Sequence, residues 1–96
     1  MNAVVSWHDV KTALAPHDKP GVLVFGIPPN GAILASLLLK AIAVQEPDNC
    51  SIILDDYIDV GEVREYYQLK YKKIFIALFD RPVLMPWNCT TQGLRK

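Results

Sequence analysis

Residues 51–63 read Ser-Ile-Ile-Leu-Asp-Asp-Tyr-Ile-Asp-Val-Gly-Glu-Val, a short apolar run that breaks into Asp55 and Asp56, a third acid at Asp59 and a glycine at Gly61. Carboxylates carry the hard oxygens that Mg²⁺ prefers as ligands. An apolar run followed by an acidic turn and a polar segment reads as a buried strand that delivers a loop to a helix start. In an open α/β sheet, ligands bind at such strand ends. The plainer alternative is an acidic turn that keeps the end of a strand hydrated.

The elements that must position these acids follow from the flanking sequence. Ser6 with Asp9 three residues on forms a capping box, and Trp7, Val10 and Leu14 share one face of a helix that ends before Pro16. Pro20-Gly21 punctuates the approach to a buried strand at residues 22–26, which runs into the turn-forming Ile27-Pro28-Pro29-Asn30-Gly31. A second helix is expected over residues 32–44. It is apolar nearly all round, which implies burial on more than one side. Glu46-Pro47-Asp48-Asn49 marks its end. A strand at 51–54, the acidic loop, a helix at 62–70 and a strand at 73–79 complete a βαβαβ pattern, whose crossovers imply parallel strands with right-handed connections. Residues 80–96 read as an irregular tail. The expected fold class is therefore α/β, a small, mainly parallel sheet with flanking helices, in one domain spanning residues 1–96.

Composition limits the functions available. The chain has 96 residues, of which 51% are hydrophobic, and a formal net charge of zero. No basic face is available for nonspecific nucleic-acid binding, and the apolar surplus favours a protein partner or a homodimer. Residues 32–44, interrupted by Ser36 and Lys40, are too short an apolar stretch to span a bilayer. Cys50 and Cys89 follow no metal-ligand spacing and read as reduced thiols, so the cytoplasm is the expected location.

The acidic segment resembles the phosphoribosyl-pyrophosphate signature of type I phosphoribosyltransferases, in which apolar residues precede Asp-Asp, an apolar position, Asp, Thr, Gly, a small residue and Thr. Asp55, Asp56, Ile58, Asp59 and Gly61 match it. The Ile27–Gly31 segment is similar to the family's pyrophosphate loop, with Pro29 where an arginine usually stands, and Leu84-Met85-Pro86-Trp87 is similar to a Phe-Pro-Trp segment near the end of compact members. The resemblance implies a truncated, Rossmann-like phosphoribosyltransferase fold. It assigns Asp55 and Asp56 to the ribose hydroxyls, one of them through Mg²⁺, and Asp59 to the base as a proton acceptor. Pro28, Pro29, Asn30 and Gly31 fall to the pyrophosphate, Gly61 to the phosphate loop, Trp87 to the hood over the base and Arg81 to a purine carbonyl. Trp87 as core packing and Arg81 as a solvated charge are the simpler assignments.

Five departures decide how much of that activity the resemblance carries. Val60 and Val63 stand where hydroxyls would donate to a 5′-phosphate, and Glu62 adds a negative charge beside them. Two lost charge-assisted hydrogen bonds cost roughly 3–6 kcal/mol of binding. Pro29 removes a cation and an amide donor. Between residues 44 and 51 there is no room for the extra strand and mobile flap that cover the family's reaction. The resemblance thus implies a noncatalytic module acting through a protein partner, with at most weak binding of phosphoribosyl pyrophosphate or a nucleoside monophosphate. The alternatives are an active compact phosphoribosyltransferase using Mg²⁺, and an unrelated Mg²⁺-dependent phosphohydrolase built on the acids.

Overall fold

The computed structural model describes residues 3–57 and 62–88. Strand β1 (Ala3–Val4) leads to helix α1 (Trp7–Leu14), where Ser6 and Asp9 form the expected reciprocal cap at 3.0 Å in both directions. A single 3₁₀ turn at Ala15–His17 follows. Gly21, at φ 79°, turns the chain into β2 (Leu23–Gly26), and α2 (Asn30–Ser36) follows the Pro-Pro turn. Then come β3 (Ile42–Val44), β4 (Ile52–Tyr57), α3 (Glu62–Tyr71), β5 (Ile74–Phe79) and β6 (Val83–Leu84).

Strands β2 to β5 form one parallel sheet in the order β3-β2-β4-β5. The α/β class, the parallel strands and the flanking helices agree with the sequence reading. Two details differ. The helix expected over 32–44 stops at Ser36, and its last residues instead make β3 at the sheet edge. The cause is Asp18, whose carboxylate accepts the backbone N–H groups of Leu39 (2.9 Å), Lys40 (2.8 Å) and Ala41 (2.8 Å). A helix continuing through these residues would need those donors for its own ladder. The second difference lies in the tail, where Val83–Leu84 pairs in parallel with Ala3–Val4 as a separate two-stranded sheet.

Alternation along the strands divides the interior into two layers. On one side Val24 and Leu54 pack with Val10, Leu14, Leu34, Val83 and Met85. On the other, Phe25 and Ile53 pack with Ile27 and Cys50 under Tyr67, Tyr71 and Phe75. Residues 45–51 return from β3 to β4 with only a 3₁₀ turn at Pro47–Asn49, so no helix fills that crossover. Among the described residues no helix is long and apolar enough to cross a membrane.

Candidate functional site

From β2 the chain moves to β3 on one side and then returns across β2 to β4 on the other. The direction of winding therefore reverses between β2 and β4, and the C-terminal ends of these two strands flank the crevice where open α/β sheets bind ligands. Both segments with family resemblance meet here.

The turn after β2 lies directly on the end of β4. Ile27 donates its N–H to the Leu54 carbonyl at 2.9 Å. A Cβ on Gly31 would stand 2.5 Å from the Leu54 carbonyl oxygen and 3.3 Å from the Asp55 Cα, and one on Gly26 would meet the Gly31 carbonyl. Glycine at both positions is what lets the start of α2 approach β4 so closely. The Pro28–Pro29 peptide is cis, and both rings are exposed.

Beside this contact, Asn30 and Asp56 join a closed polar cluster. Asn30 Nδ2 donates to Asp56 Oδ2 at 2.9 Å and to Asn88 Oδ1 at 3.3 Å, while Asn30 Oδ1 accepts from Trp87 Nε1 at 2.9 Å. Asp56 Oδ1 accepts the Tyr57 N–H at 2.8 Å, and Asn88 Oδ1 also accepts the Met85 N–H at 3.3 Å. Asp56 is 8% exposed. A buried carboxylate is costly unless hydrogen-bonded, and here both oxygens have donors. Among the described residues no buried side-chain polar atom lacks a partner.

Asp55 has a different environment. The strand expected to end at residue 54 continues to Tyr57, so Asp55 and Asp56 are strand residues on alternate faces, not members of a loop. Asp56 turns to the α2 side with Asn30, whereas Asp55 lies on the α3 side, close enough to influence the Tyr67 phenol. Burial, reinforced by a side-chain hydrogen bond with Asp56, pushes the Asp55 carboxyl up to about 7. Asp55 Oδ1 also accepts the Asp56 N–H at 2.9 Å.

The structure therefore brings together Pro28, Pro29, Asn30, Gly31, Asp55, Asp56 and Trp87. Arg81 takes no part in the cluster; its side chain is 81% exposed and lies 3.9 Å from Asp80. Asp59 and Gly61, with Val60, lie outside the described residues. Val63 is in the first turn of α3, 49% exposed. For Mg²⁺, the described residues contain no group of three potential ligands, and Asp55 and Asp56 lie close enough to share a side-chain hydrogen bond. Trp87 stacks its ring obliquely on Trp7 at 5.5 Å and packs on the core, while its N–H reaches Asn30.

Asn88 was not expected among the site residues; it joins them because its Oδ1 accepts from both Asn30 and the Met85 N–H. Comparison with known proteins finds no matching family model, curated relative or solved structure.

Proposed function

We propose that this chain is a noncatalytic phosphoribosyltransferase-like module that acts by binding a protein partner and holds sugar phosphates weakly or not at all. The observation that carries this reading is the closed cluster at the crevice. Asn30 and Asp56, which the resemblance would assign to pyrophosphate and ribose, instead satisfy one another and anchor the Trp87–Asn88 turn. A ligand reaching them would have to replace hydrogen bonds already formed within a buried site. The side-chain types at positions 29, 60 and 63 supply no compensating donors.

Thermal unfolding with Mg²⁺, phosphoribosyl pyrophosphate and nucleoside monophosphates tests the reading. A ligand at a hundred times its dissociation constant stabilises by about 2.7 kcal/mol. The expected response is flat for all of them, and a clear rise with any sugar phosphate overturns the proposal. A second reading, an active compact phosphoribosyltransferase, draws support from Asp55, because a half-buried carboxyl raised to about 7 beside a crevice is the kind of group that moves protons in enzymes. It requires pyrophosphate release from phosphoribosyl pyrophosphate with a nucleobase and Mg²⁺.

A further inference from the structure

Residues 39–46, which carry β3, are joined to the rest of the molecule with little apolar burial. Leu39, Lys40, Ile42, Ala43, Gln45 and Glu46 are exposed, Val44 is half-buried, and the one side chain inside the core is the methyl group of Ala41. Leu39 is 90% exposed. The chain on either side is anchored. Leu37 and Leu38 pack on the core and donate their N–H groups to the Leu34 and Ala35 carbonyls at 3.0 and 3.2 Å. At the other end Cys50 is buried, and the Ser51 N–H reaches the Leu23 carbonyl at 2.8 Å.

Two sets of hydrogen bonds hold the stretch between these anchors. One is the three-residue pairing of β3 with β2, extended by the Ile42 N–H on the Val22 carbonyl at 2.8 Å. The other is the Asp18 carboxylate, whose Oδ2 accepts from Leu39 and whose Oδ1 accepts from Lys40 and Ala41. Bonds to an ionised acceptor are roughly twice as strong as neutral ones, so the carboxylate is the larger restraint. A region with few buried apolar contacts and backbone hydrogen bonds near solvent opens at a lower free energy than the whole fold. We infer that residues 39–46 open as one cooperative unit, with the Asp18 carboxylate as its latch, while β2, β4 and β5 stay paired. Opening bares the outer edge of β2 at the Val22 carbonyl. It leaves the crevice closed, because the Asn30 cluster is built from α2, β4 and the Trp87–Asn88 turn. The latch therefore goes beyond the reading of the crevice, and sugar-phosphate binding there, or its absence, leaves it untouched.

Native-state amide exchange on the full chain tests it, at urea concentrations below the unfolding transition and in the regime where rates report the population of the open form. The reporter is the Ile42 N–H, which bonds to Val22 and not to Asp18. The slowest amides of β4 and β5 report unfolding of the sheet. In the wild-type chain Ile42 is expected to exchange about tenfold faster or more than those amides, with a weaker dependence on urea because less surface is exposed. Ile76→Val, on the opposite edge of the sheet, should speed the β4 and β5 amides several-fold and leave Ile42 unchanged within about twofold. Asp18→Asn keeps one acceptor oxygen and replaces the other by a donor, and should speed Ile42 about tenfold or more although its own bond is not touched. An Ile42 amide with the rate and urea dependence of the β4 and β5 amides overturns the proposal, because the segment then opens only with the whole fold. An Ile42 rate that follows Ile76→Val as closely as the sheet does, or that Asp18→Asn leaves unchanged, overturns it equally.

Discussion

Replacing Asn30 by alanine separates the two meanings of the crevice, because a group kept for a ligand and a group kept for the fold respond in opposite ways. Asn30 supplies three side-chain hydrogen bonds, one of them to the buried Asp56 carboxylate. A hydrogen bond to a charged group contributes about 1.5–3 kcal/mol and a neutral one about 1. In Asn30→Ala the Asp56 Oδ2 loses its donor at a site 8% exposed, and Trp87 Nε1 loses Asn30 as acceptor. The sum is about 3–4 kcal/mol. Domains of this size are stable by only about 5–15 kcal/mol, so the expected fall in melting temperature is about 15 °C or more. Urea titration monitored by circular dichroism gives the loss directly, and tryptophan fluorescence reports whether Trp87 has moved. A double-mutant cycle with Trp87→Phe, which keeps an aromatic ring and removes the N–H, should give a coupling of about 0.5–3 kcal/mol. A loss below about 1 kcal/mol with unchanged fluorescence would refute the reasoning, because it would mean that Asn30 does not hold the cluster together and is free to serve a ligand.

The remaining expectations concern packing and protonation. Gly31→Ala puts a methyl group 2.5 Å from the Leu54 carbonyl oxygen and should cost about 1–3 kcal/mol, read as a lower urea midpoint, because the neighbour is backbone and cannot swing aside. Asp18, whose carboxyl is held below its ordinary value by the amides of Ala41, Leu39 and Lys40, contributes stability that is present above pH 3.8 and lost as pH falls through its lower folded value. Asp18→Ala should therefore flatten the acid limb of a stability profile. Asp55 acts with the opposite sign. The folded state keeps its proton up to about pH 7 while the unfolded state releases it near 3.8, so stability falls as pH rises across that interval. Three pH units correspond to about 4 kcal/mol undamped, and solvent screening of this half-buried group reduces that to about 2. Asp55→Asn should remove the decline, measured as the urea midpoint between pH 4 and pH 8.

Local chemistry made several elements readable. Ser6 and Asp9 announced the cap of α1 by type and spacing, and the β-branched run before Ile27 announced β2. The end of α2 was not readable, because residues 32–44 contain neither glycine nor proline and carry good helix formers throughout. What stops the helix is a carboxylate brought from Asp18 by the fold. The boundary of β4 failed for a related reason, since aspartates are poor strand residues by propensity, and the segment is held extended by the pairing of Asp55 with Ala77 and of Tyr57 with Phe79. The pairing of Val83–Leu84 with Ala3–Val4 is two residues long and leaves no periodicity to detect. At the candidate site, residue types placed the Ile27–Gly31 segment and the acids at the C-terminal ends of two strands, which lie side by side in the sheet. They could not tell whether Asn30 and Asp56 would face outward or toward each other, because that depends on the Trp87–Asn88 turn reaching back across nearly sixty positions of sequence.

The three amides held by Asp18 fasten the segment after α2 to the turn that precedes β2. The outermost strand is thereby attached twice, once through its own ladder to β2 and once through a carboxylate from more than twenty positions earlier. Residue 18 thus sets how firmly the rim of the sheet is moored, although the chain never brings it beside that segment.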